Sequence, residues 1–176
     1  KDQTTGARNT VIGYRAMYTA DGGEDFNTVI GSEAGHYIDN DASHDNVLIG
    51  KNALQGGSGT ILANIAIGSG TMNGVANSSQ TGTIAIGHNA LYTLTSGAKN
   101  IAIGYDSMGD MTVGTNNIAI GYESMNALAG HDATDAGHSN IAIGTDAMGA
   151  IDAQHDNAVI DGNVAIGTNA LLGADF

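Results

Sequence analysis

A short apolar phrase recurs nine times along the chain, with the same order of residue types in each copy. It reads asparagine, a β-branched residue, an aliphatic residue, isoleucine and glycine, as in residues 100–104. Each copy ends in an isoleucine followed by a glycine. The nine pairs are Ile12–Gly13, Ile30–Gly31, Ile49–Gly50, Ile67–Gly68, Ile86–Gly87, Ile103–Gly104, Ile120–Gly121, Ile143–Gly144 and Ile166–Gly167. Nine ordered copies indicate one repeat array over residues 1–176.

Each phrase has the pattern of a short β-strand. The β-branched positions, which favour strands, are Thr10, Thr28, Val47, Ile65, Ile84, Ile101, Ile118, Ile141 and Val164. Because side chains alternate along a strand, these residues share one face with the isoleucines. The opposite face carries Val11, Val29 and Leu48 in the first three copies and alanine afterwards. A strand that is apolar on both faces is typical of one that is covered on both sides.

Turn chemistry brackets every strand, since asparagine (Thr83 in one copy) precedes it and glycine follows it. Spacers of changing length join the phrases, as loops do. A small and a larger apolar residue, such as Ala53 and Leu54, follow the glycine and predict a second short strand. The sequence therefore predicts an all-β fold, a parallel β-solenoid of about nine coils stacked about 4.8 Å apart.

A unit of this size cannot cover both faces of its strand alone. We expect stacked isoleucine ladders within the rod, and a second copy of the chain covering the alanine face in a homotrimer. The bulkier Val11, Val29 and Leu48 then predict wider spacing between chains at the N-terminal end. Two apolar triplets around Asp161 and Gly162 predict a hairpin, which makes residues 157–176 a candidate terminal cap.

Composition narrows the classes of partner. The chain has a formal net charge of −13, from 18 acidic and 5 basic residues. A nucleic-acid partner is not expected, because phosphate binding needs clustered lysine and arginine. No apolar run approaches the roughly 18 residues of a membrane span, so this segment is not expected to insert into a membrane. There is no cysteine, which excludes disulfides and thiolate metal sites.

The phrase in "NIAIGTDAM" and "NVAIGTNAL" resembles the head repeats of trimeric autotransporter adhesins (the YadA-like head). It is also similar to "NTVIGYRAM" arrays of phage and bacterial tail-fibre-type proteins. The resemblance covers essentially the whole chain. It implies a left-handed parallel β-roll, three chains side by side, and an extracellular location on a bacterial cell surface or a virion tail fibre. We therefore expect this chain to be a fragment of a longer fibre.

Several residues have the chemistry of metal ligands without a complete ligand set. Asp39, Asp41 and Asp45 lie in one spacer and offer hard oxygen ligands, which makes calcium a candidate, although the glycine and glutamate of an EF-hand loop are missing. His131, Asp135 and His138 have ligand types in a second spacer. A solvated loop is the favoured interpretation of both, so no metal or cofactor is predicted.

Three functions remain open at this stage. The favoured one is a structural and adhesive fibre module that is not an enzyme and presents the loops 20–26, 37–45 and 129–139 to a host-surface glycan or protein receptor. The second is a glycan-cleaving tailspike-type segment, although no carboxylate pair has a distinctive setting. The third is a purely structural filament or sheath without a ligand.

Overall fold

The computed structural model describes residues 7–20, 22–56, 58–74, 79–126, 129–130, 137–149, 152–153 and 160–173. These ranges contain strands and turns but no helix. The strands are β1 (Thr10–Ile12), β2 (Thr28–Ile30), β3 (Val47–Ile49), β4 (Ile61–Leu62), β5 (Ile65–Ile67), β6 (Gln80–Thr81), β7 (Ile84–Ile86), β8 (Ile101–Ile103), β9 (Ile118–Ile120), β10 (Ala129–Gly130), β11 (Ile141–Ile143), β12 (Asp152–Ala153) and β13 (Val164–Ile166). Among the described residues, no helix is long and apolar enough to span a membrane.

The nine three-residue strands form one parallel sheet in the order β1-β2-β3-β5-β7-β8-β9-β11-β13. Every pair is in register, so that each phrase isoleucine lies beside the isoleucine of the next coil. Two smaller parallel sheets, β4-β6 and β10-β12, join spacers. The chain is therefore a parallel β-solenoid of about seven turns, which confirms the predicted all-β fold.

A ladder of asparagine side chains holds the coils together inside the rod. The amide oxygen of Asn117 accepts hydrogen bonds from the backbone N–H of Asn140 at 3.0 Å and from its side-chain amide at 3.2 Å. The side-chain amide of Asn117 in turn donates to the carbonyl oxygen of Gly137 at 2.8 Å. Asn27, Asn46, Asn64, Asn100 and Asn140 repeat this bond to a spacer carbonyl. The asparagine is therefore a buried connector between coils as well as a turn residue.

The ladder is interrupted at the fifth coil, where threonine replaces asparagine. The backbone N–H of Thr83 donates to the side chain of Asn64 at 2.9 Å. The hydroxyl of Thr83 is buried and has no hydrogen-bond partner among the described residues, and the same holds for both polar atoms of the Gln80 side chain three residues earlier. Unpaired buried polar groups lower stability, so this coil is a weak point of the stack.

A column of glycines lets neighbouring coils approach closely where the strand ends. A Cβ atom on Gly104 would lie 2.1 Å from the carbonyl oxygen of Gly121. The φ angle of Gly104 is 140°, a conformation that side chains rarely adopt. The same close approach recurs from Gly13 to Gly144, with Cβ-to-oxygen distances of 2.1 to 2.5 Å. Glycine at this position is thus required by the spacing of the coils.

The two faces of the strand lie opposite to the prediction. The central residues, including Val29, Leu48, Ala66 and Ala102, are fully buried inside the single chain. The β-branched residue and the isoleucine on either side point outward and are partly exposed. The expectation that a partner chain covers the alanine face is therefore wrong. Alanine is needed there because the interior must also hold the apolar residues of the turn.

The residues after each glycine form a turn rather than the predicted second strand. Leucine or methionine at the fourth position has φ between 41° and 58°, in the left-handed region. Backbone bonds still join these turns between coils, as from Met108 N–H to the Ser124 carbonyl at 2.9 Å. The side chains fill the core, and all six methionines are buried: Met17, Met72, Met108, Met111, Met125 and Met148.

The larger central residues near the N-terminus are accommodated inside the rod. Leu48 is fully buried, and Gly35 occupies the turn position where other coils carry leucine or methionine. A Cβ atom on Gly35 would already lie 3.1 Å from the Cδ1 atom of Leu48. The predicted widening between chains therefore loses its basis, because a small turn residue compensates for the large strand residue.

Asp161 and Gly162 form a solenoid corner and not the predicted hairpin. Asp161 makes a parallel bridge with His138 of the preceding coil, and β13 pairs parallel with β11. The first triplet of the predicted hairpin is residues 158–160, of which only Ile160 lies within the described residues. A parallel corner here follows from the asparagine ladder, since Asn163 donates to the side chain of Asn140.

We expect Thr83→Asn to raise the free energy of unfolding by about 1 kcal/mol, because it completes the asparagine ladder with one or two net hydrogen bonds. Urea denaturation at fixed protein concentration measures this change. Thr83→Val, which removes the unpaired hydroxyl without adding a connector, is the matched control. A Thr83→Asn variant no more stable than Thr83→Val would contradict the ladder as a source of stability.

We expect Gly104→Ala to lower the free energy of unfolding by about 3 kcal/mol or more, because its Cβ atom would overlap the next coil. Gly167→Ala is the control, since it has the same position in the phrase but no atom of the described residues within 4 Å of the added Cβ atom. Backbone strain alone predicts a loss of about 1 to 2 kcal/mol at Gly167. Equal losses in the two variants would refute the steric argument.

Candidate interaction surface

The strongest candidate for a functional surface is the outer face of the nine-stranded sheet, here called the isoleucine face. It consists of the first and third residues of each strand, which form two straight columns of β-branched and isoleucine side chains. These residues are half-buried by their neighbours along the column in most coils, and Ile120 is 37% exposed. Two apolar columns on one flat face make a patch of the kind that marks an interaction site.

A column of exposed residues borders the isoleucine face where the strands begin. It is here called the leading column and contains the residue before each ladder position: Arg8, Phe26, Asp45, Ala63, Gly82, Lys99, Asn116, Ser139 and Gly162. All nine have positive φ, between 54° and 62° for the residues other than glycine. The backbone corner is therefore the same in every coil, while the side chain it presents to solvent changes.

A second exposed column, the trailing column, borders the face where the strands end. It contains the residue after each phrase glycine: Tyr14, Ser32, Lys51, Ser69, His88, Tyr105, Tyr122, Thr145 and Thr168. His88 and Tyr105 stack with ring centroids 5.1 Å apart, and Tyr105 and Tyr122 with centroids 5.4 Å apart. The carboxylate of Glu123 accepts a hydrogen bond from Tyr122 and raises the pKa of that phenol to about 12.

A shallow polar cleft lies beside the trailing column, on the turns of the fifth to seventh coils. Its lining residues are Asn89, Tyr92, Asp106, Gly109, Asp110 and Asn126. Tyr92 is 41% exposed, so its ring is accessible from solvent. An exposed aromatic ring among amides and carboxylates offers one apolar surface together with several acceptors and donors. This combination suits a polyhydroxylated ligand.

The structure does not bring the weak candidate ligands Asp39, Asp41 and Asp45 into one ligand set. Asp41 Oδ1 accepts a hydrogen bond from the backbone N–H of Gly23 at 3.0 Å, and Asp45 pairs with His44 at 2.8 Å. Asp39 is exposed. Among the described residues, no group of three or more histidine or acidic side chains is placed to hold a metal ion.

The second set of candidate ligands is only partly described. His131 and Asp135 lie outside the described residues. The Nδ1 atom of His138 accepts a hydrogen bond from the backbone N–H of Thr115 at 3.1 Å and lies 2.9 Å from the Thr115 hydroxyl. His138 therefore uses this nitrogen to join its coil to the preceding one.

The spacers proposed as binding loops stack on one another as the strands do. The side-chain amide of Asn40 donates to the carbonyl of Ser58 at 3.1 Å, which joins the loop 37–45 to the next spacer. In the loop 20–26, Glu24 is buried and its Oε1 atom has no partner among the residues that the structure describes. Of the loop 129–139, only Ala129, Gly130 and residues 137–139 are described.

The two columns and the cleft were missed in the sequence, although a signal for the columns was present. Each column stands at a fixed offset from the phrase, directly before the asparagine or directly after the glycine. Because the side chains there vary from coil to coil, a search for recurring residue types passes over them. The cleft combines positions from three coils, and only the stacking of the turns brings them together.

Comparisons with known proteins add no identification, since no protein family, curated protein or solved structure matches the chain.

Proposed function

We propose that the chain is a structural and adhesive fibre module, a homotrimeric rod that extends from a cell or virion surface and presents receptor-binding groups on its sides. The observation that carries the proposal is the uncovered isoleucine face along one side of the solenoid. A long apolar face on an acidic, otherwise polar rod needs a partner of the same length and period. A second copy of the chain supplies both.

The proposal corrects which face meets the partner. Since the alanines are buried within one chain, we propose that the isoleucine face, and not the alanine face, contacts the neighbouring chain. Three flat faces around one axis leave no apolar side exposed, and a closed ring prevents open-ended association. Each chain of the proposed trimer has nine coils, one for each copy of the phrase. The rod lies outside the cell.

For the receptor, the polar cleft supports a glycan. Tyr92 supplies an aromatic surface for the carbon-bound face of a sugar, while Asn89, Asn126 and Asp110 supply partners for hydroxyl groups. The loops 20–26, 37–45 and 129–139 stay candidates for the same attachment, because spacers of changing length on a rigid rod are suited to recognition.

One observation favours the glycan-cleaving alternative. Asp106 and Asp110 line the same cleft, and glycoside hydrolysis uses two carboxyl groups. However, Asp110 is exposed and Asp106 is half-exposed, whereas a general acid near neutral pH needs burial or a neighbouring charge to keep its proton. Binding of hydroxyl groups therefore fits the two carboxylates better than cleavage does.

We expect light scattering to give a mass near three times 17.7 kDa for the native chain, and near that of one chain for Ile103→Asp. The Ile103 side chain lies on the outer face, so a charge there disrupts the interface and leaves the interior of each chain intact. Circular dichroism checks that the variant keeps its strands. Ser96→Asp, at an exposed spacer position, is the control and should leave the mass unchanged. A monomeric native chain would refute the proposal.

We expect the trimer to bind host-surface glycans on an array, and Tyr92→Ala to weaken that binding by about two- to tenfold, because a stacked aromatic ring contributes on the order of 0.5 to 1.5 kcal/mol. Tyr18→Ala removes an exposed tyrosine outside the cleft and serves as the control. Release of oligosaccharides from capsular or lipopolysaccharide glycans would instead favour the cleaving alternative. Binding that survives both Tyr92→Ala and shortening of the loop 37–45 would count against these attachment sites.

A further inference from the structure

We propose that neighbouring chains of the rod meet edge to edge in the register of the same coil, with the leading column of one chain against the trailing column of the next. The inference rests on the proposed homotrimer and adds to it the contacts that fix its register. In a ring of identical chains whose faces surround one axis, the edge where the strands end must meet the next chain's edge where the strands begin.

The height of the contact follows from the register of the sheet. A leading residue and the trailing residue of the same coil stand at the two ends of one strand, and that strand runs across the rod. Coils are stacked about 4.8 Å apart, so a shift of one coil would replace every pair along the edge. Rotation about the axis without translation therefore brings residues of the same coil together.

The positions of the basic residues support this arrangement. The chain has a formal charge of −13, yet the four basic side chains among the described residues all lie at the borders of the isoleucine face. Arg8 and Lys99 are in the leading column, Lys51 is in the trailing column, and Arg15 follows it by one residue. Among the described residues, lysine and arginine therefore occur at these two edges alone, which favours a contact between the edges.

The two arginines of the first coil already have partners within their own chain. Arg8 lies over the ring of Phe26, 4.9 Å from its centroid. Arg15 lies over the rings of Tyr14 and Tyr18, at 5.2 and 5.4 Å. These cation–π contacts satisfy the guanidinium groups locally, so the first coil does not set the register.

The two lysines are different. Among the described residues the one ion pair joins His44 and Asp45, so neither Lys51 nor Lys99 pairs with a described carboxylate. In the proposed register, Lys51 of one chain faces Asp45 of the next, whose side chain is 57% exposed.

Lys99 faces the coil end formed by Tyr105 and Asp106. Because His88 and Tyr122 cover both sides of the Tyr105 ring, the partner in this arrangement is the carboxylate of Asp106, which follows the trailing column by one residue and also lines the polar cleft. Both lysines thus find an acid in the same coil of the neighbouring chain, and opposite charges at matched heights specify register as well as affinity.

The test uses disulfide cross-linking, since the natural chain has no cysteine. The double variant Asp45→Cys with Lys51→Cys should form covalent dimers and trimers on a denaturing gel after mild oxidation. The two positions cannot join within one chain, because the strand between them spans about 10 Å, beyond the reach of a disulfide. Asp45→Cys combined with Ser32→Cys or with Ser69→Cys moves one thiol by one coil in each direction. These controls should cross-link at least about tenfold more slowly.

Charge exchange provides an independent measurement. Lys51→Asp places two negative charges opposite each other at each of the three interfaces between chains. We expect the concentration at which this trimer dissociates to be at least about tenfold higher than that of the native trimer. Asp45→Lys together with Lys51→Asp should restore the native value, and the difference should shrink at high salt. Faster cross-linking in an off-register control would overturn the inference. So would a lack of cross-linking in the Asp45→Cys, Lys51→Cys variant when light scattering shows that this variant is trimeric. A monomeric chain would overturn the proposed function itself.

Discussion

The spacing between coils is the constraint on which the rest of this structure depends. Each coil must come close enough for its backbone N–H groups to reach the carbonyls of the next, as in the 2.8 Å bond from Gly104 to Ile86. Glycine at the end of every strand permits that approach, and the asparagine ladder supplies bonds where the chain turns and the sheet provides none. With those two positions fixed, spacers of different lengths leave the sheet in register.

The same spacing explains why the rod has one apolar face outside and one inside. The interior has room for a small strand residue opposite a leucine or methionine of the turn. Where the strand residue is the larger Leu48, the turn residue is the smaller Gly35. The isoleucines cannot also fit inside, so they remain on the outer face. An acidic surface tends to keep such rods apart in solution. In the proposed trimer, the isoleucine face and the basic residues at its borders would form the contact between chains.

The phrase predicted the strands, their order and their parallel register, because each strand depends on residues that recur at fixed positions. It could not tell which apolar face lies inside. Alternation separates the faces of a strand without giving them a direction, and the direction here depends on Met108 and its equivalents in the turn. Those turn residues were themselves misassigned, since leucine and methionine seldom adopt the left-handed backbone that the corner requires. The cleft depends on contacts between coils, which no single repeat contains.

The methionine column has a consequence for chemical damage. A thioether gains oxygen only where an oxidant in solvent can reach the sulfur, and the product is too polar for a packed apolar interior. With all six methionines buried, each sulfur becomes accessible only when its own coil separates from the stack. The pattern of methionine sulfoxide along the chain would then record how often each coil opens. The fifth coil, weakened by Thr83 and Gln80, has no methionine of its own, so the record should begin at Met72 and Met108 in the coils on either side of it.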